Sequence, residues 1–504
     1  HSMASGPNGK FYFSCGNAGG YEVKDKSGNT TIGSSWYSKN KKNHGRKSHD
    51  GRIYVGGSLF QVNPDGTALQ VYTHNMRNTY EQSMNSFGDM FHSDNDDTES
   101  CRTSFAMKYG NAGFSSADGS RSWRADMRPG QAIPSAHWRQ QDPGVMPAGD
   151  IYGTGAPAGM TFYENGALPA KYRGLMIVCE SARNTLLGYY PKEDKAGFEL
   201  KNFDFMTSNT SKQFAGTDFL NRKIIGELKT WFRPSDVTVG ADGALYVTDW
   251  FDSRVGGHQS MDDKGSGTIY RIAPKGFKSQ TPQFNLETIE GAITALKSPA
   301  VNVRYLGFRA LSSFGAKAIG PVKKLLQDDN VFIRARAVWL LSELGDTATL
   351  TALLKDQKLC TVAARALLQT KPNSRELLEQ LSTHSSAAVR REAAIATRDL
   401  SFEEATQVII NLAKNLNPQD RTSIEAFGKA CEGKEEQCYN LLVQKLQQNK
   451  PLQWDEKFQQ IAWRLHALSS LQQQKERALA ELPLHERKLS VDAIAFMKER
   501  EAAE

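Results

Sequence analysis

The chain has 504 residues, 39% of them hydrophobic and 23% charged, with a formal net charge of +7 and six cysteines. That length suits two to four domains, the modest charge without a Lys/Arg run interleaved with aromatics argues against a nucleic-acid partner, and the scattered cysteines exclude a disulfide scaffold or a zinc site. No apolar run approaches a membrane span, no signal peptide is recognisable, and no CxxCH motif offers a covalent haem site.

Gly and Pro crowd the first half of the chain, and Ala, Leu, Gln, Glu and Lys take over after residue 280. The expected division is a β-rich domain over 1–277 followed by an α-rich domain over 278–504. Taken in order, residues 1–17 join a Gly-Pro-Asn-Gly turn to the strand KFYFSC. A true N-terminus upstream of His1 is expected, because the chain opens almost directly into this hairpin. Residues 18–50 read as a polar excursion, and strand signals resume at Arg52.

The stretch HNMRNTYEQSMNSFGDMFHSDNDDTESCR follows, with Arg77 and Asn78 ahead of a strand hairpin that ends in Ser93-Asp94-Asn95-Asp96-Asp97. Hard cations such as Ca²⁺ take several carboxylate and carbonyl oxygens, so Asp94, Asn95, Asp96 and Asp97 are the candidate metal ligands. The Gly and Glu that mark an EF-hand loop are absent, and a solvated acidic turn is the plainer alternative. Residues 109–150 are irregular and carry Trp123, His137, Trp138 and many Arg. A loop of that length either walls a polar pocket or packs on the sheet surface.

A strand pair is expected after Gly153, ending at a loop with Arg183 and Asn184. Residues 231–276 carry the clearest pattern: 236–239 and 244–248 alternate apolar and polar around the turn Ala241-Asp242-Gly243, and a third run covers 268–273. Repeated turn-plus-strand units without intervening amphipathic helices predict a β-propeller, six-bladed and incomplete at its N-terminus, with an ordinary β-sandwich as the alternative. Beyond residue 278 the period changes. Helical spacing over 300–314, 330–344, 359–371 and 387–400, with short second helices at 319–326 and 347–354, predicts an α-solenoid of HEAT-like repeats. Arg304, Arg334 and Arg390 recur at one position of the repeat and are expected to bond neighbouring turns. Cys431 and Cys438 are close enough to pair, or could equally be free.

With these pieces in place, the chain resembles the propeller-plus-HEAT proteins described as membrane-bound dehydrogenases or haem-binding CxxCH proteins of planctomycetes, verrucomicrobia and Bacteroidetes. Their propeller is similar to soluble quinoprotein glucose and aldose sugar dehydrogenases. The matching segments are GPNGKFYF, GGSLFQVNPDG, RNTYEQSMNSFGDMFHSDNDD, HWRQQDPGVMP, GAPAGMTFYE, RPSDVTVGADGALYVTDWFD, VGGH, GTIYRIAPKG, VRYLGFRAL, DRTSIEAFGKA and IAWRLHA. The resemblance implies pyrroloquinoline quinone (PQQ) held with Ca²⁺ at one propeller face, a sugar or other alcohol as substrate, a c-type cytochrome as electron acceptor, and a periplasmic or secreted location.

Carried over by position, Arg77 and Asn78 match the Arg-Asn pair at the quinone, Thr154 falls near a cofactor-binding Thr, and Arg233 near an Arg that meets a cofactor carboxylate. The chain departs from the pattern at Tyr80, where the sugar dehydrogenases have Gln, and at Ser235, where a second Arg would stand. The expected Lys after Cys179 is missing, and the general-base His would lie upstream of His1. His258 is then the substitute base or substrate ligand. The alternative is a non-catalytic propeller that binds carbohydrate or a protein partner, with the HEAT arm as an interaction surface. A lyase or hydrolase using His137 or His258 is a third reading.

Overall fold

The computed structural model describes residues 2–17, 20–38, 41–96, 100–210, 232–250 and 267–497. Strands dominate the described chain up to Thr268–Ile272, and fourteen α-helices then run from Ile289–Leu296 to Leu484–Ala495. The larger sheets follow one another along the chain, each starting with a strand beside the previous sheet's first strands. The first comprises Met3–Ser5, Phe11–Cys15, Gly57–Val62, Gln70–Met76 and Gly110–Asn111. The second runs from Thr79–Met84 through Met90–Asp94 and Cys101–Phe105 to Asp150–Gly153. The third contains Pro157–Tyr163, Leu175–Glu180, Thr185–Tyr189 and Phe203–Thr207, and the fourth Pro234–Val239, Leu245–Asp249 and Thr268–Ile272.

Thr79–Met84 packs on Pro157–Tyr163, and Pro157–Tyr163 on Pro234–Val239. That succession of antiparallel sheets stacked through their first strands is how propeller blades follow one another. Four such sheets occur among the described residues, where the sequence suggested six blades.

Burial explains the residue choices. The third sheet lies between its neighbours, and Pro157–Tyr163, Leu175–Glu180 and Thr185–Tyr189 are buried along their whole length, hence the run LMIVCE. The fourth sheet keeps the alternation read from the sequence, with Val237, Val239, Leu245 and Val247 facing inward. Its turn is fixed by Asp242, whose Oδ1 accepts the Ala244 N–H at 3.1 Å, and by Gly243 at φ +85°. The polar excursion holds two strands that the sequence did not signal, Tyr21–Lys24 and Thr30–Ser34.

The helices form two layers. Val301–Phe314, Val331–Glu343, Cys360–Thr370, Ala387–Thr397, Arg421–Ala430 and Glu456–Leu465 stack in sequence, and the layer facing the sheets presents a row of arginines to them. Arg304 and Arg336 reach Glu164, Arg365 reaches Asp89 and the Phe87 carbonyl, and Arg421 donates to the Asp142 and Val145 carbonyls. Of the recurrent arginines, Arg304 bonds the Ser298 and Pro299 carbonyls of the adjoining turn and Arg390 the His384 and Ser385 carbonyls of its own, as the spacing suggests; Arg304 in addition reaches Glu164 of the β-rich region. Cys431 and Cys438 are both buried free thiols.

Candidate functional site

The first strands of the second, third and fourth sheets each lose register near the same level. The shifts fall between Thr79 and Gln82, between Pro157 and Met160, and between Pro234 and Asp236. A bulge bends a strand and re-aims a side chain. Here the bulges bring one carboxyl from the second sheet and one from the fourth together across the third. Glu81 Oε2 accepts the Met160 N–H at 2.7 Å, and the Glu81 carboxyl hydrogen-bonds the Asp236 carboxyl. Gly159 makes this approach possible, since a Cβ there would stand 2.3 Å from Asp236 Oδ1 and 2.6 Å from its Cα.

Enclosure and the facing carboxyl push Glu81 well above the usual carboxylate range, and Asp236 is raised as well. Two carboxyls in contact cannot both ionise cheaply, so the pair holds one proton near neutral pH. Neither residue stood out in the sequence; their only signal is the bulge, which depends on pairing between distant strands.

Arg77 and Asn78 lead into the same strand as Glu81, at most roughly 13 and 10 Å before it at ~3.3 Å per residue. Their backbone N–H groups donate to Asp94 at 3.0 and 2.7 Å, and Arg77 Nη1 donates to the Asn95 carbonyl at 3.0 Å and to Asn95 Oδ1. Arg77 and Asn78 are partly exposed, and Tyr80 is 43% exposed between them and the carboxyl pair.

From Asn95 a belt of contacts crosses to the other sheets. Asn95 Nδ2 donates to the Gly155 carbonyl at 3.3 Å; Glu180 accepts the Ala156 N–H and, at 2.8 Å, the Arg183 N–H. Arg183 donates through Nε and Nη2 to the Thr154 carbonyl at 2.9 and 2.8 Å. Arg233 completes the belt, with Nη1 donating to the Ser181 and Ala182 carbonyls at 2.9 and 3.3 Å and its N–H to Asp249 Oδ1 at 2.8 Å. The structure therefore joins Arg77, Asn78, Asn95, Thr154 and Arg233 at one end of the sheets. Arg233, however, is 1% exposed and ties the third sheet to the fourth rather than facing solvent.

The acidic run is not assembled for a cation among the described residues. Asp94 is buried around the two N–H groups of Arg77 and Asn78, and burial pushes it up to about 7. Asp96 faces elsewhere: Trp138 Nε1 donates to its Oδ2 at 3.2 Å, and His137 Nδ1 lies 3.0 Å from the same oxygen. No group of three or more His, Cys, Asp or Glu side chains among the described residues could hold a metal ion. Asp97 and His258 lie outside the described residues. His137 and Trp138 belong to a packed segment: both are buried, and the Arg102 guanidinium stands 3.8 Å from the Trp138 ring centroid.

A family model described as "Domain of unknown function (DUF7133)" matches residues 9–276. No curated protein matches the chain. Among solved structures, the chain is similar to a Thermus thermophilus protein described as an oxidoreductase (glucose dehydrogenase), at 16% identity and TM-score 0.31, covering 51% of this chain and 65% of that one. The soluble aldose sugar dehydrogenase of Escherichia coli, in its apo form, matches at 13% identity and TM-score 0.32, over 53% of this chain and 79% of that one. The PQQ-bound aldose sugar dehydrogenase of Streptomyces coelicolor matches at 15% identity and TM-score 0.29, over 50% and 60%. The chain thus spans under two thirds of the Thermus and Streptomyces proteins, and a likeness this distant does not extend to activity.

Proposed function

This chain belongs to the DUF7133 family, and we propose that it is a quinoprotein-type oxidoreductase that oxidises a sugar or other alcohol at the bulged end of its sheets. One observation carries the reading: Glu81, which meets Asp236 of the fourth sheet across the third, lies on the strand that the partly exposed Arg77–Asn78 step leads into. Oxidising an alcohol requires a base for the hydroxyl proton and a cation for the charge that develops on the electron acceptor. Glu81 and Asp236 supply the first, in place of the His that the resemblance would put upstream of His1, and Arg77 supplies the second.

Arg77, Asn78 and Tyr80 fit a carboxylate-bearing quinone in kind, being cationic, amide and aromatic groups with exposed surface. Bound there, PQQ would supply the two-electron acceptor. Arg233 and Thr154 hold the rim in place through the Ser181–Arg183 turn rather than as direct contacts. Calcium has no described ligand set here, and no step relies on it. A c-type cytochrome as electron acceptor, the 1–277 and 278–504 domain division, the HEAT assignment and a periplasmic or secreted location are parts of the same proposal. No described helix is long and apolar enough to cross a membrane.

A second reading, binding without turnover, draws on the engagement of the arginines: Arg77, Arg183 and Arg233 all donate to protein oxygens. The two readings separate in one assay. Purified chain supplied with PQQ and an artificial electron acceptor is offered a panel of sugars and simple alcohols. The oxidoreductase reading predicts quinone-dependent acceptor reduction, with Glu81→Gln and Asp236→Asn each lowering kcat about 100-fold at unchanged quinone affinity. Quinone-independent signal, or none with any alcohol, would leave the binding reading.

A further inference from the structure

Between the first sheet and the helical layer lies a cavity of about 480 Å³, within the ~300–1,000 Å³ common for small-molecule sites. It is separate from the carboxyl pair and independent of the quinone reading. Its sheet side carries a prearranged row of polar groups. Asn8 Nδ2 donates to Tyr12 Oη at 3.0 Å, Tyr12 Oη lies 3.5 Å from Gln61 Oε1, and Gln61 Nε2 donates to Gln70 Oε1 at 3.1 Å. On the helical side the aromatic Trp339 joins the lining, its Nε1 already donating to the Ser86 carbonyl at 3.1 Å.

The lining carries three cations, Lys10, Lys108 and Arg365, against two carboxylates, Glu392 and Asp399, and Asp399 is paired with Arg398 at 2.9 Å. Arg365 is neutralised by Asp89 at 2.8 Å and Glu392 at 2.9 Å. Lys10 and Lys108 also line the cavity, and neither has an ion-pair partner among the described residues. Burial and the neighbouring Lys108 charge pull the Lys10 amine below its usual range. Two partly enclosed ammonium groups on one cavity, with Lys108 Nζ 4.9 Å from the Tyr109 ring centroid and neither lysine paired to a carboxylate among the described residues, suit an anionic ligand. Amides and hydroxyls in a row, with aromatic surface beside them, suit a ligand bearing several hydroxyl groups.

We propose that this cavity binds a small hydroxylated anion of sugar-acid size, with Lys10 and Lys108 holding the acidic group and the Asn8–Tyr12–Gln61 row its hydroxyls. The test is calorimetric titration of the full chain with D-glucuronate, D-glucose and inorganic sulfate. Glucuronate is expected to bind more tightly than either other probe, and Lys10→Ala/Lys108→Ala to weaken it at least tenfold. Without ligand, the double variant should keep or raise Tm, because a repulsion is relieved; this shows that a binding loss is not a folding loss. Lys108→Gln alone should give an intermediate loss. Glucose or sulfate binding as tightly as glucuronate, or a double variant with unchanged affinity, would overturn the assignment.

Discussion

Glu164 is the clearest point at which to test how the helical layer is held on the sheets. It is fully buried, and its two oxygens accept the Ser86 N–H at 2.6 Å, the Ser86 hydroxyl at 2.5 Å, Arg304 Nη1 at 2.7 Å and Arg336 Nη2 at 2.9 Å. Despite burial, the two guanidiniums hold its carboxyl below the usual range. Glu164→Gln keeps the shape and removes the charge, leaving the buried Arg336 and the partly buried Arg304 without this counter-ion. Breaking one partner of a buried pair costs about 3–5 kcal/mol. Arg304 keeps the Ser298 and Pro299 carbonyls, and Arg336 those of Leu296 and Ser298, so the lower end, ~3 kcal/mol, is expected here. Because the Glu164 carboxyl is depressed, this contribution is present above the unfolded carboxylate pKa and lost as pH falls through the folded one. Urea unfolding at neutral pH, followed by tryptophan fluorescence, measures the loss. Glu164→Gln/Arg336→Gln should cost less than the two single changes together. A single variant within ~0.5 kcal/mol of wild type would refute the reasoning, since that is the scatter of a neutral surface substitution.

Two further predictions concern the carboxyl pair. Glu81 is raised from 4.5 to about 8, so the folded state holds its proton over a range where the unfolded chain does not. Stability should therefore fall as pH rises through that window, by at most about 5 kcal/mol and by ~2 after allowing for partial exposure and the shared proton. In Glu81→Gln this slope should flatten in Tm measured from pH 5 to 9. Gly159→Ala forces a Cβ to within 2.3 Å of Asp236 Oδ1, so the third and fourth sheets must part. Chemical denaturation should show a loss of about 1–3 kcal/mol, and a neutral result would mean the strands approach less closely than described.

Much of the architecture was legible because it rests on local chemistry. The 236–248 hairpin could be read from its alternation and its Asp-Gly turn, and Val331–Glu343 or Cys360–Thr370 from helical spacing. Partners were not legible where they are distant in sequence. The recurrence of Arg304 was visible, yet the carboxylate it meets stands 140 residues away. Arg233 looked like a cation awaiting an anion, but the Ser181–Arg183 turn, unforeseeable from a single strand, encloses it. The partners within the acidic run were hidden for a related reason: alternation along Met90–Asp94 and its exit sends Asp94 to the Arg77 backbone and Asp96 to Trp138. Glu81 was passed over because a bulge, invisible without the partner strand, turns it toward Asp236.

The most direct measurement of the central claim is equilibrium binding of PQQ to the wild-type chain and to Arg77→Ala, read by quinone absorbance after dialysis. The account predicts one quinone per wild-type chain and at least tenfold weaker binding by the variant, with Lys10→Ala/Lys108→Ala binding as wild type does. A wild-type chain that retains no quinone, or an Arg77→Ala chain that retains it equally well, would contradict the account.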